Sequence, residues 1–187
     1  MIPTIAYGYQ SSSSTVQTTT TYNSTTSITP TYSDATIYPD LWADVYTPTV
    51  SYTSAASLTQ SDGSIGTLSI PSLDIYMSVY DGETLDNMTK GVAHFSDTSS
   101  WDGNIGLCGH NRGATYVIGD IKDLELGDII QYTTSLGTRT YAVSLVTTIS
   151  ETNWSYLNAT SDNRITLITC VENQSELRWC VQAVEIT

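Results

Sequence analysis

From about Thr67 onward the chain is written as short apolar runs separated by turn residues. Leu68–Ile70 and Asp74–Val79 read as strands interrupted at Pro71, which lacks the N–H a continuous ladder needs. Residues 83–90 have the length for one helical turn or two. Ile105–His110 is a short apolar run that closes on Gly109-His110. In Tyr116–Leu126, the residues Val117, Ile121 and Leu124 share a helical stripe, which Gly127 stops. Asp128–Thr134 and Arg139–Ile149 alternate around Ser135-Leu136-Gly137, a hairpin signature. Arg164–Cys170 and Leu177–Ile186 form a second β pair around a six-residue connection, 171–176. About eight short strands with one or two small helices predict a mainly β domain over 67–187, built as a closed β-barrel.

The first third of the chain has a different texture. Residues 11–28 contain thirteen Ser or Thr, and no charged residue precedes Asp34. Such a stretch has little apolar surface to offset the entropy of ordering it, so 1–33 reads as a flexible leader. Residues 34–66 read as an N-terminal extension. Within it, Ile37–Tyr46 has Pro39 and Asp40 suited to a helix start, and Leu41, Trp42, Val45 and Tyr46 on one face. A short amphipathic helix is expected there, packed on the domain as a brace or as a lid over a groove.

Charge narrows the function. Net charge is −13, with six Lys and Arg against nineteen Asp and Glu. Nucleic-acid binding and adhesion to an anionic membrane both need clustered cations and are disfavoured. A field of this sign suits a cationic partner such as an amine. No run of about 18 apolar residues is present, so any membrane attachment is expected through a segment outside this chain. Thirteen Tyr and four Trp against one Phe favour half-buried sheet faces and grooves.

With two histidines and three cysteines, few groups can carry titrating chemistry. Cys170 closes Ile165-Thr-Leu-Ile-Thr-Cys170, where a rigid strand gives way to an open loop. His110 closes Gly106-Leu-Cys-Gly-His110 in the same way. Arg178 sits in the otherwise apolar Leu177-Arg-Trp-Cys-Val181, where a guanidinium needs an anion or a groove to face. Singly, each has an ordinary explanation: a small buried thiol, a surface imidazole, an ion-paired arginine.

As an ordered set they resemble the catalytic domain of bacterial sortases. The resemblance runs from Leu68-Ser-Ile-Pro-Ser-Leu-Asp-Ile75 through Val79-Tyr-Asp-Gly82, Gly91-Val-Ala-His-Phe95, Gly103-Asn104 and Leu107-Cys-Gly-His-Asn111. Leu126-Gly-Asp-Ile-Ile130 and Thr166-Leu-Ile-Thr-Cys170 continue it, the latter similar to the family's Thr-Leu-x-Thr-Cys signature, with Arg178 downstream. The resemblance implies Cys170 as nucleophile, His110 as proton-transferring partner and Arg178 as oxyanion-side cation. It also implies the activity: cleavage of a Leu-Pro-x-Thr-Gly-like C-terminal sorting signal between Thr and Gly, then transfer of the acyl group to an amine. The expected partners are proteins bearing that signal and an acceptor amine, from a peptidoglycan precursor or a pilin lysine. The expected location is the outer face of a Gram-positive cell membrane. The alternatives are a cysteine endopeptidase of the same fold and a non-enzymatic surface or pilus protein. His94 and Arg112 are decoys, one expected to be structural and the other solvent-exposed. No cofactor or metal is expected. Calcium occurs in some family members, but the acids here form no transferable ligand series.

Two positions depart from the family pattern: Ser78 where Pro is usual, and Cys108 where Ala is common. In an extended stretch Cys108 shares a face with His110, and Cys180 shares one with Arg178. Core packing, a Cys108–Cys180 disulfide, and a regulatory or metal role are the expectations for this pair.

Overall fold

The structure, a computed structural model, describes residues 51–186. The leader 1–33 and the amphipathic segment 37–46 therefore lie outside the described residues. Eight strands form a closed barrel: β1 (Ser64–Ile70), β2 (Ile75–Asp81), β3 (Val92–His94), β4 (Asn104–Cys108), β5 (Ile129–Thr134), β6 (Gly137–Ser150), β7 (Arg164–Val171) and β8 (Gln174–Glu185). Their order around the barrel is β1-β2-β3-β4-β7-β8-β6-β5, with β5 returning to β1. Two of the pairings, β2 with β3 and β4 with β7, are parallel; the other six are antiparallel.

Period-two alternation along the strands separates an inner from an outer face. Ile105 and Leu107 on β4, Ile165 and Leu167 on β7, and Val181 and Ala183 on β8 all point inward and join one fully buried core. The opposite faces of the same strands carry a second, smaller cluster outside the barrel: Cys108, Ile168 and Cys180, with Ala93 and Ile149. One sheet thus serves a core on one side and a separate surface on the other.

At the other end of β6, Arg139 is mostly buried and held from three directions. It donates to Glu185 Oε2 at 2.7 Å and Asp102 Oδ1 at 2.9 Å, and stacks over the Trp101 ring at 4.5 Å. Breaking such a desolvated cluster by removing one partner strands charge in a low-dielectric site.

The structure corrects the sequence reading in several places. The first strand begins at Ser64, three residues before 67, because Ser64 and Gly66 already pair with β2 across a bulge. Pro71–Leu73 is a 3-10 turn closed by Asp74 at φ 53. In 116–126 only Gly119–Asp123 is helical, and it is a 3-10 helix. The buried residues are Ile118, Ile121 and Leu124, spaced by three as that tighter winding requires, while Val117 is only half-buried. The connection after β7 shrinks from six residues to the turn Glu172-Asn173, with Asn173 at φ 58. Residues 85–88 form the one short α-helix among the described residues, α1 (Leu85–Met88), capped by the Thr84 side chain accepting from Asn87 N–H at 3.2 Å. The three-residue strand β3 is too short to show a period.

Entry into β3 tolerates no side chain at Gly91, where a Cβ would sit 2.1 Å from the Ser78 carbonyl oxygen. Backbone cannot yield as a side chain can. Gly91→Ala is expected to lower unfolding free energy by about 2–3 kcal/mol, as overpacking does, read as a reduced urea midpoint at unchanged slope.

Candidate active site

The site is built where β4 and β7 end and β8 begins. β4 and β7 run parallel in register from Asn104↔Arg164 to Cys108↔Ile168. β4 ends at Cys108, and the bond from Gly109 N–H to Ile168 O carries its course one step further, so that His110, bridged in parallel to Val117, comes alongside Cys170 just past the strand's end. On the other flank, Cys170 is the antiparallel partner of Arg178 on β8. Directly opposed residues share a face and hold their Cβ atoms about 5 Å apart. The register therefore lays His110, Cys170 and Arg178 side by side in one row on the outer face, although they are far apart in sequence.

Backbone bonds pin this row. Gly109 N–H donates to Ile168 O at 3.3 Å, and the buried Thr169 hydroxyl donates to Gly109 O at 2.8 Å. The residue before Cys170 thus grips the residue before His110. From the other side, Ile118 N–H donates to His110 O at 2.9 Å. Gly109 leaves room for Ile118, whose side chain would meet a Cβ at 3.0 Å.

Cys170 is a free thiol and exposed, whereas Cys108 and Cys180 are free and buried. Ile168 lies between the latter two in the ladder, so the strand β7 separates them and they pack rather than pair. Burial is the main reason both thiols are pushed up to about 12. They stay protonated where Cys170 is open to solvent.

Arg178 is turned toward the rim. Its Nη1 donates to Ser175 O at 2.6 Å and Leu177 O at 2.8 Å, and its Nη2 donates to Glu151 Oε2 at 3.0 Å. That uses three of five N–H donors. Nε and the second Nη2 hydrogen have no partner among the described residues.

Along the outer face from this row, Met88, Phe95, Tyr156 and Leu157 pack over a buried apolar cluster that includes Cys108 and Ile168. On that side an open groove of about 360 Å³ is lined by Phe95, Thr98, Trp154 and Leu157, with Glu83 and Asp97. Trp154 is 57% exposed and meets the Phe95 ring edge-on at 6.0 Å, so an aromatic wall faces open space. Beyond the row, two further cavities of about 200 and 420 Å³ both reach Cys170 from the β7–β8 turn.

The sortase domain family matches residues 68–186 of this chain. The chain belongs to the sortase family. Sortase A of Listeria monocytogenes serovar 1/2a is 35% identical over 111 residues, covering 58% of this chain and 50% of that protein. Sortase A of Bacillus anthracis is 32% identical over 124 residues, covering 65% and 59%. The chain thus aligns with half to three-fifths of these relatives' length. Among solved structures, sortase C2 of group B Streptococcus pilus island 1 superposes with a TM-score of 0.65 at 23% identity, covering 69% of this chain and 77% of that one. Sortase C-1 of Actinomyces oris gives 0.65 at 23%, covering 71% and 80%. These structural likenesses carry the barrel fold.

In this sortase domain the second histidine is structural. His94 is fully buried, with Nδ1 2.8 Å from Asp81 Oδ1 and Nε2 3.1 Å from both Ser99 O and Thr98 Oγ1. It knits β3 to the β3–β4 connection. Arg112 is exposed on the turn after His110. Among the described residues no group of three metal-ligating side chains gathers, and no helix is long and apolar enough to cross a membrane.

Sequence reasoning passed over Thr169, Glu151, and the groove walls Phe95, Trp154 and Leu157. An exposed-looking Trp in the polar stretch Glu151-Thr-Asn-Trp-Ser155 was the available signal.

Two outcomes follow for this sortase domain. Iodoacetamide applied to the native protein is expected to alkylate one thiol of three, and none in Cys170→Ala, as counted by intact mass. Thr169→Val keeps the shape but strands the Gly109 carbonyl. It is expected to lower stability by about 1–3 kcal/mol and to slow Cys170 alkylation, measured by denaturant unfolding and by adduct formation against time.

Proposed function

We propose that this chain is a cysteine transpeptidase that cleaves a Leu-Pro-x-Thr-Gly-like sorting signal and transfers the acyl fragment to an amine. One observation carries the reading: an exposed free thiol, Cys170, flanked by an imidazole and a guanidinium on the outer face that also carries an apolar-walled groove. Family membership supports the same chemistry.

The residues fit the steps as follows. The Cys170 thiolate attacks the Thr carbonyl carbon of a peptide lying in the groove, and the carbonyl π pair moves to oxygen as a tetrahedral oxyanion. Donors of Arg178 that are not engaged by Ser175, Leu177 and Glu151 stabilise that oxygen. The C–N bond then breaks while His110, as imidazolium, gives its proton to the departing Gly amine, leaving a thioester on Cys170 and neutral His110. An incoming primary amine attacks the thioester, His110 takes its proton, and the Cys170 thiolate departs. Charge and protons balance across the cycle.

The apolar end cavity between Phe95, Trp154 and Leu157 suits the Leu side chain of the signal. The cavities beyond Cys170 give a second ligand access to the thioester without crossing the groove. That second approach lets an amine reach the thioester while the acyl fragment is still bound. Asp120, Lys122 and Glu172 line one of these cavities; Lys122 offsets Asp120 at 3.3 Å, and Glu172 is in keeping with a cationic acceptor. The acceptor is a peptidoglycan-precursor amine or a pilin lysine, and the place of action is the outer surface of the cell envelope.

The test mixes the protein with a Leu-Pro-x-Thr-Gly peptide, with and without a glycine- or lysine-type amine, and follows products by mass spectrometry. A thioacyl adduct on Cys170 and an amine-ligated product are expected, with neither from Cys170→Ala. Arg178→Ala should reduce kcat by about 10²–10³, the cost of one oxyanion donor. Arg178→Lys should recover little of it, because a point charge lacks the planar fork. Turnover by Cys170→Ala sinks the reading, and hydrolysed product alone at saturating amine turns it to an endopeptidase.

A further inference from the structure

Glu151 lies on the first residue after β6, next to the row that holds the nucleophile. Ile149 on β6 is the ladder partner of Arg178, and Glu151 continues the ladder through its N–H to Glu176 O at 2.8 Å. Two residues beyond Ile149, the Glu151 side chain returns to the face of Arg178. A diagonal neighbour of this kind is within reach of long side chains. The contact is made: Arg178 Nη2 donates to Glu151 Oε2 at 3.0 Å.

This bond complements the two that Nη1 makes to the Ser175 and Leu177 carbonyls. Those two alone leave the guanidinium plane free to swing about them. A third anchor on the other terminal nitrogen fixes the plane, and with it the direction of the remaining Nε–H and Nη2–H. Both residues are partly exposed, at 26% and 46% of the side chain, so Coulomb attraction here is screened and adds little stability. What the pair supplies is orientation.

Resting on the transpeptidase reading above, we propose that Glu151 is the positioning residue for Arg178, fixing the guanidinium so that its unused donors serve the oxyanion formed at Cys170. Glu151 also opens the loop that carries Trp154 and Leu157, the wall of the groove. The segment that walls in the acyl donor and the segment that aims the cation are therefore the same few residues.

The test is a double-mutant cycle on the full chain. Glu151→Ala is expected to lower kcat for a Leu-Pro-x-Thr-Gly peptide by about 10–100-fold, as misplacement of a catalytic group does, with KM changed less than about threefold. Glu151→Gln keeps an acceptor oxygen and is expected to stay within about threefold of the parent. In an Arg178→Ala background, Glu151→Ala is expected to have no further effect. The same cycle is read without substrate, as the rate of Cys170 alkylation by iodoacetate relative to iodoacetamide. The anionic reagent senses the guanidinium, so loss of Glu151 should change the ratio with Arg178 present and leave it unchanged with Arg178 absent. Equal fold-losses from Glu151→Ala in both backgrounds, or a Glu151→Ala protein as active as the parent, overturn the proposal. A parent chain that forms no thioacyl adduct sinks the transpeptidase reading instead, and the alkylation cycle still decides whether Glu151 aims Arg178.

Discussion

Parallel pairing of β4 with β7 is the constraint on which the site depends. Antiparallel neighbours deliver their C-terminal ends to opposite rims of a barrel; parallel neighbours deliver them to the same one. Because β4 and β7 run together in register to Cys108↔Ile168, the residues that follow emerge side by side. The antiparallel β7–β8 hairpin then folds Arg178 back beside Cys170 through a two-residue turn. Cys170 and Arg178 are thus placed by ladder geometry, and His110 by the backbone bonds just past the end of β4, rather than by loops that would have to be ordered afresh.

The same strands do two jobs because their side chains alternate. Inward, Ile165, Leu167 and Thr169 close the barrel; outward, Thr166 and Ile168 form a buried floor under the residues packed on that face, and Cys170 is exposed beyond it. Polar groups of the floor are satisfied locally. Thr166 donates to Asn104 Oδ1 at 2.8 Å, and Asn104 donates to the Tyr156 and Asn158 carbonyls at 2.8 and 2.9 Å. These bonds tie the β6–β7 connection down onto the floor, so the wall that carries Tyr156 and Leu157 has a fixed base.

Much of this was legible beforehand. Runs bounded by Gly, Pro and Asn marked most strands, and the short motifs that contain His110, Cys170 and Arg178 marked the family. What escaped has identifiable causes. β3 is three residues long, too few for alternation to appear. In 116–126 a period of three was taken for one nearer four, since Val117 and Ile118 are both apolar and adjacent. Glu151 and Trp154 sit in a polar connection with no periodicity, where function depends on which strands the loop bridges. The Cys108 and Cys180 expectation turned on whether one strand or none lay between them, which faces along a single strand cannot reveal.

A closed barrel also decides how an extended polypeptide must be recognised. The strands beside the site are paired on both sides, β7 between β4 and β8 and β8 between β7 and β6. A peptide laid across the outer face there cannot dock by joining the sheet as an added strand, which would accept almost any sequence. It must be read through its side chains and a few loop contacts. Such a scaffold is suited to selecting a short, particular word of sequence, and to passing over the many extended chains that lack it.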